Sequence, residues 1–149
     1  PTLHLQAPVR ALGGQVMALA KPIEYDAASA AVRAVYDDIR ATRKTDFINS
    51  FWRTLAFDPD LLERTWTEVR QVMAVPSLLD PLTKEMIYIA VSVANSCTFC
   101  VHSHTAAAKA KGMTDAQYAE LLSIIAVAGK TNQLASALQV PVDAVFNAG

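Results

Sequence analysis

Both cysteines of this 149-residue chain fall in one Cys-x-x-Cys, Cys97 and Cys100, and His104 follows four positions later. Two thiols at that spacing can serve as a redox couple, part of a metal site or a structural crosslink. A disulfide closing four residues removes only about 2 kcal/mol of unfolded-chain entropy, against about 4.7 kcal/mol for a hundred-residue loop, so stabilisation is a poor use of the only two thiols. On a helix, at about 100° per residue, Cys97, Cys100 and His104 fall near 0°, 300° and 340°, within one sector, while His102 falls near 140° on the far side. A tetrahedral zinc site would lack a fourth ligand, because His102 points away and His4 is the only other histidine. No metal and no cofactor is expected. A redox pair fits better, since free N–H groups and the helix dipole at a helix start favour a thiolate, and His104 is in register to act as a base. Glu85 is the remaining candidate: apart from Lys84 it is the only charge in an otherwise apolar element, where a carboxylate sits either at a solvated helix end or in a polar site.

The elements that must position these groups read as a series of capped helices. Asp26 is the expected N-cap of a first helix with the stripe Val32, Val35, Tyr36 and Ile39. Residues 47–56 form a short second helix carrying Phe51, Trp52 and Leu55, and Asp58-Pro59 opens a third with Leu61, Leu62, Thr65, Trp66, Val69 and Met73 on one face. Phe51, Trp52 and Trp66 are core or subunit-interface residues on this reading. The element at 82–95 alternates enough to suit a strand, but its Asp80-Pro81 start and its length favour a helix, apolar nearly all round and therefore buried. The Cys-x-x-Cys then runs into the Ala-rich stretch 105–111, which Gly112 ends in a left-handed cap. Thr114 and Gln117 make a capping box for a last long helix with Ala119, Leu122, Ile125 and Ala126 inward; Gly129 is expected to end or bend it, and 133–140 to add a short piece.

Composition narrows the function classes. Thirteen Lys+Arg against fourteen Asp+Glu give no basic patch for nucleic acid or an anionic membrane surface. The longest apolar run, 86–94, is about half of the ~18 residues of a membrane span. With 52% hydrophobic and 18% charged residues, a mean hydropathy of +0.23, and a chain of this size burying only about 69% of its unfolded surface, a homo-oligomer is expected. The few glycines and many alanines point to an all-α fold: an N-terminal segment at 1–25 and one helical domain at 26–149. The stretch after Arg10, ending in Ala18-Leu19-Ala20, is broken by Gly13, Gly14 and Gln15 and makes a poor signal-peptide core, so a cytoplasmic location is expected.

Glu85, Cys97-Thr98-Phe99-Cys100 and His104 together resemble the Glu-x11-Cys-x-x-Cys-x-x-x-His signature of the alkylhydroperoxidase D-like branch of the carboxymuconolactone decarboxylase family. The resemblance is close over 82–113 and looser upstream to Asp26. It implies a multi-helical all-α bundle assembled into trimers or hexamers, with thiol peroxidase activity on a small-molecule hydroperoxide. It further implies Cys100 as the attacking thiol, Cys97 as the partner that closes the disulfide, Glu85 and His104 as the proton relay, and an external dithiol reductant, a protein or lipoyl-type group. Lactone decarboxylation, the family's other activity, does not depend on a cysteine pair. The sequence departs from the pattern at Phe99, where family peroxidases often carry a second His, which leaves open a general thiol–disulfide oxidoreductase or a non-catalytic redox-sensing helical oligomer.

Overall fold

Why the first long helix begins where it does is a matter of one hydroxyl. In the computed structural model, which describes residues 19–147, Ser29 is extended and its side chain accepts the Val32 N–H, which makes it the N-cap of α1, Ala30–Arg43. Asp26, expected in that role, lies three residues earlier inside a separate 3-10 turn, Tyr25–Ala27, whose own backbone bonds use up the local geometry. The stripe itself holds: Val32, Val35, Tyr36 and Ile39 are all buried. Lys44, with a left-handed φ of 54°, ends the helix by returning its N–H to the Arg40 carbonyl.

The second helix, α2, is shorter than expected, Ser50–Leu55, because Asn49 takes the Trp52 N–H and starts the helix there. Phe47 is left outside and exposed, and Phe51 faces outward while Trp52 is buried. The Asp58-Pro59 start of α3, Pro59–Val69, is as expected, with the Asp58 side chain accepting from Leu61 N–H. A π turn, Arg70–Ala74, follows. Trp52 and Trp66 meet edge to face with centroids 5.4 Å apart. The Trp66 indole N–H donates to Asp38 at 2.6 Å, so its one polar atom is satisfied inside an apolar cluster.

The chain divides after Gln71 into two compact units, and the cysteine pair lies in the second. There the ambiguous element is a helix, α4, Pro81–Ala94; the Asp80 carboxylate accepts from the N–H groups of Leu82 and Thr83, and Pro81 needs no partner. Lys84 ties this start to the preceding loop by donating to the carbonyls of Val72 and Val75 at 2.7 and 3.0 Å. The cysteine helix α5, Thr98–Ala110, ends as expected at Gly112, whose φ of 94° lets Met113 N–H reach the Ala108 carbonyl. The capping box of Thr114 and Gln117 opens α6, Asp115–Ala137. Helices α4, α5 and α6 close on a small cluster of Ile89, Ala108, Met113 and Leu121.

Three expectations for this unit are corrected. Helix α6 runs through Gly129 and takes up the start of the 133–140 piece, since a glycine with negative φ weakens a helix without ending it. Its inward face is Leu121 with Tyr118 and Ile125 half-buried against it, while Leu122 lies outside; an Ala-rich helix that is apolar on several sides has no unique stripe, and packing selects one. Helix α4 is not buried all round within one chain, because Ile87 and Val91 are about half exposed. Among the described residues every regular element is helical, and no helix is long and apolar enough to cross a membrane. Of the stretch from Arg10 to Ala20 that makes a poor signal-peptide core, residues 10–18 lie outside the described residues.

Candidate active site

The corner between α4 and α5 is built from backbone bonds that leave Cys97 with two jobs. Ser96 takes a left-handed φ of 56°, Ser96 N–H donates to the Val93 carbonyl, and Cys97 N–H donates to the Ser92 carbonyl at 2.9 Å. That is the double bond pattern of a helix C-terminal Schellman motif, with Ser96 at the position glycine usually holds. Cys97 therefore seals the end of α4. It is also the N-cap of α5, its sulfur accepting the Cys100 N–H at 3.3 Å. The two cysteines are joined as a disulfide, with Cα atoms 5.3 Å apart. The expected placement of the pair at a helix start, where dipole and free N–H groups favour negative charge on sulfur, is what the structure has.

On α4, Glu85, Ile89 and Ser92 share the inward face at i, i+4 and i+7, so the carboxylate goes where the apolar side chains go. Glu85 is only 6% exposed. Its oxygens are divided between two partners: Oε2 accepts from His104 Nδ1 at 2.7 Å, and Oε1 accepts from Lys111 Nζ at 2.9 Å. Burial pushes the Glu85 carboxyl up, but the hydrogen bonds from His104 and Lys111 and the charge of Lys111 outweigh it and hold the group below its ordinary value of 4.5. The residue is thus a buried carboxylate, not a solvated first-turn glutamate. His104 is pinned on its other side by Tyr88, whose ring stacks on the imidazole with centroids 3.6 Å apart and planes 20° apart.

The structure therefore brings Glu85 and His104 into direct contact and joins Cys97 to Cys100, with Cys100 and His104 one turn apart on one face of α5. His102 is exposed on the opposite side, its Nδ1 2.9 Å from the Thr98 carbonyl oxygen, and takes no part. Two members of the cluster were missed in the sequence. Tyr88 is one turn beyond Glu85, a spacing that in retrospect marks it, but on an apolar helix an aromatic residue reads as core. Lys111 is two turns beyond His104 at the helix end, where a lysine is read as a partner of the dipole; no local pattern sends it to a residue 26 positions upstream. Among the described residues no group of three or more His, Cys, Asp or Glu is arranged to hold a metal ion.

The family model described as carboxymuconolactone decarboxylase family matches residues 59–143, which include all four expected site residues. A crystal structure of the alkylhydroperoxidase AhpD core from Rhodospirillum rubrum is similar over 89% of this chain and 99% of its own, with 56% identity and a TM-score of 0.86. No curated protein matches.

Proposed function

Because the chain belongs to the carboxymuconolactone decarboxylase family and has an alkylhydroperoxidase-like fold, we propose that it is a thiol peroxidase that reduces hydroperoxides through Cys97 and Cys100. The observation that carries this reading is the Glu85–His104 hydrogen bond set one helical turn from the disulfide. With the Glu85 carboxylate accepting the Nδ1 proton, the other ring nitrogen of His104, Nε2, is left with a lone pair, which is what a general base for a thiol needs. In the reduced protein Cys100 gives its proton to that nitrogen, directly or through a water. The thiolate then attacks the terminal oxygen of the hydroperoxide; the O–O bond breaks, Cys100 becomes a sulfenic acid, and the alkoxide leaves as the alcohol after taking up a proton. Cys97 condenses with the sulfenic acid, releasing water and forming the disulfide. An external dithiol, of a protein or lipoyl type, returns both thiols by exchange and carries away the two electrons.

The helix-start field acts most strongly on Cys97, whereas the base is in register with Cys100, and the roles follow the base because a thiol needs a proton acceptor as well as a favourable field. Thiolate absorbance against pH in Cys97→Ser and Cys100→Ser checks the assignment; the lower-titrating thiol should be Cys100. The function itself is tested by hydroperoxide consumption with a dithiol reductant, which Cys100→Ser should abolish. Retention of the wild-type rate in that variant would falsify the reading. Phe99, about 43% exposed beside the pair, favours one second reading: without the additional His that the signature often has there, the couple is a general thiol–disulfide oxidoreductase, and turnover of a protein disulfide exceeding that of any hydroperoxide would select it. The exposed apolar side chains Ile87, Val91, Ile124 and Val127 support assembly as a homo-oligomer. A dithiol-recycled couple also fits a reducing, cytoplasmic compartment.

A further inference from the structure

The relay as described uses one oxygen of Glu85, and the other is held by a lysine to which that mechanism gives no part. Lys111 is the C-cap of α5, immediately before the left-handed Gly112, and its side chain reaches back to Glu85 on α4. The neighbouring Lys109 goes elsewhere, to Asp115 at 3.1 Å and over the ring of Tyr118, so Asp115 at the start of α6 already has its own lysine. Lys111 Nζ lies on Glu85 Oε1, His104 Nδ1 on Oε2, and Tyr88 on the face of the imidazole.

We propose that Lys111 is a positioning residue for the relay: by holding Oε1 of Glu85 it leaves Oε2 to accept the Nδ1 proton of His104, and so keeps the Nε2 lone pair available to Cys100. The inference rests on the peroxidase reading only in taking Cys100 as the thiol to be activated. Its physical basis is the cost of burying a carboxylate with a single partner. Deprived of Lys111, the site relieves that cost by taking up one proton. Placed on the carboxyl group, the proton makes an O–H that donates to Nδ1 and forces the ring's own proton onto Nε2. Placed on the imidazole, it leaves both nitrogens protonated. Either way Nε2 no longer accepts. The ammonium of Lys111 removes the need for that proton, and Tyr88 keeps the ring from turning away while it waits.

The test uses the full reduced chain in a Cys97→Ser background, with Lys111→Met and Lys111→Arg. Two readouts are taken at neutral pH: the nitrogen-15 resonances of the His104 ring, which report which nitrogen carries a proton, and the rate at which iodoacetamide alkylates Cys100. The parent should show a protonated Nδ1 and a bare Nε2. Lys111→Met should show a protonated Nε2 and alkylate about tenfold more slowly, within the range that a general base contributes, and Lys111→Arg should restore both. In a Glu85→Gln background Lys111→Met should have no further effect, because Lys111 acts through Glu85. A protonated Nε2 in the parent, an unchanged ring and rate in Lys111→Met, failure of Lys111→Arg to restore them, or an undiminished effect in Glu85→Gln would each overturn the proposal. Should Lys111→Met not fold, Lys111→Gln, closer in shape, carries the same expectations. Absence of hydroperoxide turnover by the wild-type chain, with these Lys111 effects intact, would instead remove the peroxidase reading and leave the positioning role.

Discussion

Among the described residues, the unit ending at Gln71 packs ten buried apolar residues around Trp52 and Trp66, whereas the unit after it packs four around Ile89 and gives inward positions of α4 to Glu85 and Ser92. The same contrast holds for polar atoms. In the first unit aromatic side chains bury polar tips that complete apolar packing, the Trp66 N–H on Asp38 and the Tyr36 hydroxyl on the Ile23 carbonyl. In the second, a carboxylate, an imidazole and an ammonium form a chain of contacts beside a disulfide. A core of the first kind tolerates any well-packed substitute, while one of the second kind requires particular donors and acceptors, since an unmet buried charge is costly. The difference sets the larger apolar core in one unit and the proposed site in the other. It also accounts for the apolar excess of the composition: Leu122, Ile124, Val127 and Leu134 of α6 remain on the surface of the single chain.

The contrast can be broken most severely at Trp66, which is 3% exposed and makes both the ring contact and the Asp38 bond. Trp66→Ala should lower the unfolding free energy by about 3–5 kcal/mol in denaturant titrations, while the alkylation rate of Cys100 in the folded, reduced protein stays at the wild-type value. Glu85→Gln should do the reverse, lowering hydroperoxide turnover by about a hundredfold, in the range of general-base effects, with a smaller change in denaturation midpoint than Trp66→Ala. A loss of turnover in Trp66→Ala at full folding would show that the two units do not divide packing and chemistry between them.

Acid sharpens the comparison. The folded Glu85 carboxyl titrates below its ordinary value of 4.5, so between the two values the unfolded chain binds more protons and stability rises with pH. Its contribution is complete above about pH 4.5 and is lost as pH falls through the folded value. Unfolding followed across this window should show a steeper acid decline in the wild type than in Glu85→Gln, and equal slopes would mean the carboxylate is not held as described. Smaller effects are expected at helix ends and interiors. Thr114→Ala, which removes half of the capping box of α6, should cost about 1 kcal/mol. Gly129→Ala should stabilise the chain by about 0.5–1 kcal/mol, because a Cβ there meets nothing within 4 Å and the glycine is helical. Destabilisation by that alanine would mark a surface covered by another copy of the chain.

Local chemistry made much of this molecule readable from its residues. Asp58-Pro59, Asp80-Pro81, Gly112 and the Thr114/Gln117 box each place a helix boundary through bonds made within a few positions, and the Val32 to Ile39 stripe shows its buried face because its polar neighbours are clearly polar. The register of Cys97, Cys100 and His104 is likewise a property of one helix, so spacing alone supplies it. Where several answers were locally equal, the folded chain chose among them: Ser29 over Asp26 as a cap, Tyr118, Leu121 and Ile125 over Leu122 as the inward face of α6, and an unbroken course through Gly129. The site divides on the same line. That Glu85 is a buried carboxylate rather than a solvated one, that Tyr88 lies on the His104 ring, and that Lys111 rather than Lys109 supplies its counter-charge all depend on α4 and α5 meeting across 16 to 26 residues of chain. Contacts of that range have no period in the sequence, because the distance between the groups is set by helices packing on Ile89 and Ala108 and not by their spacing along the backbone.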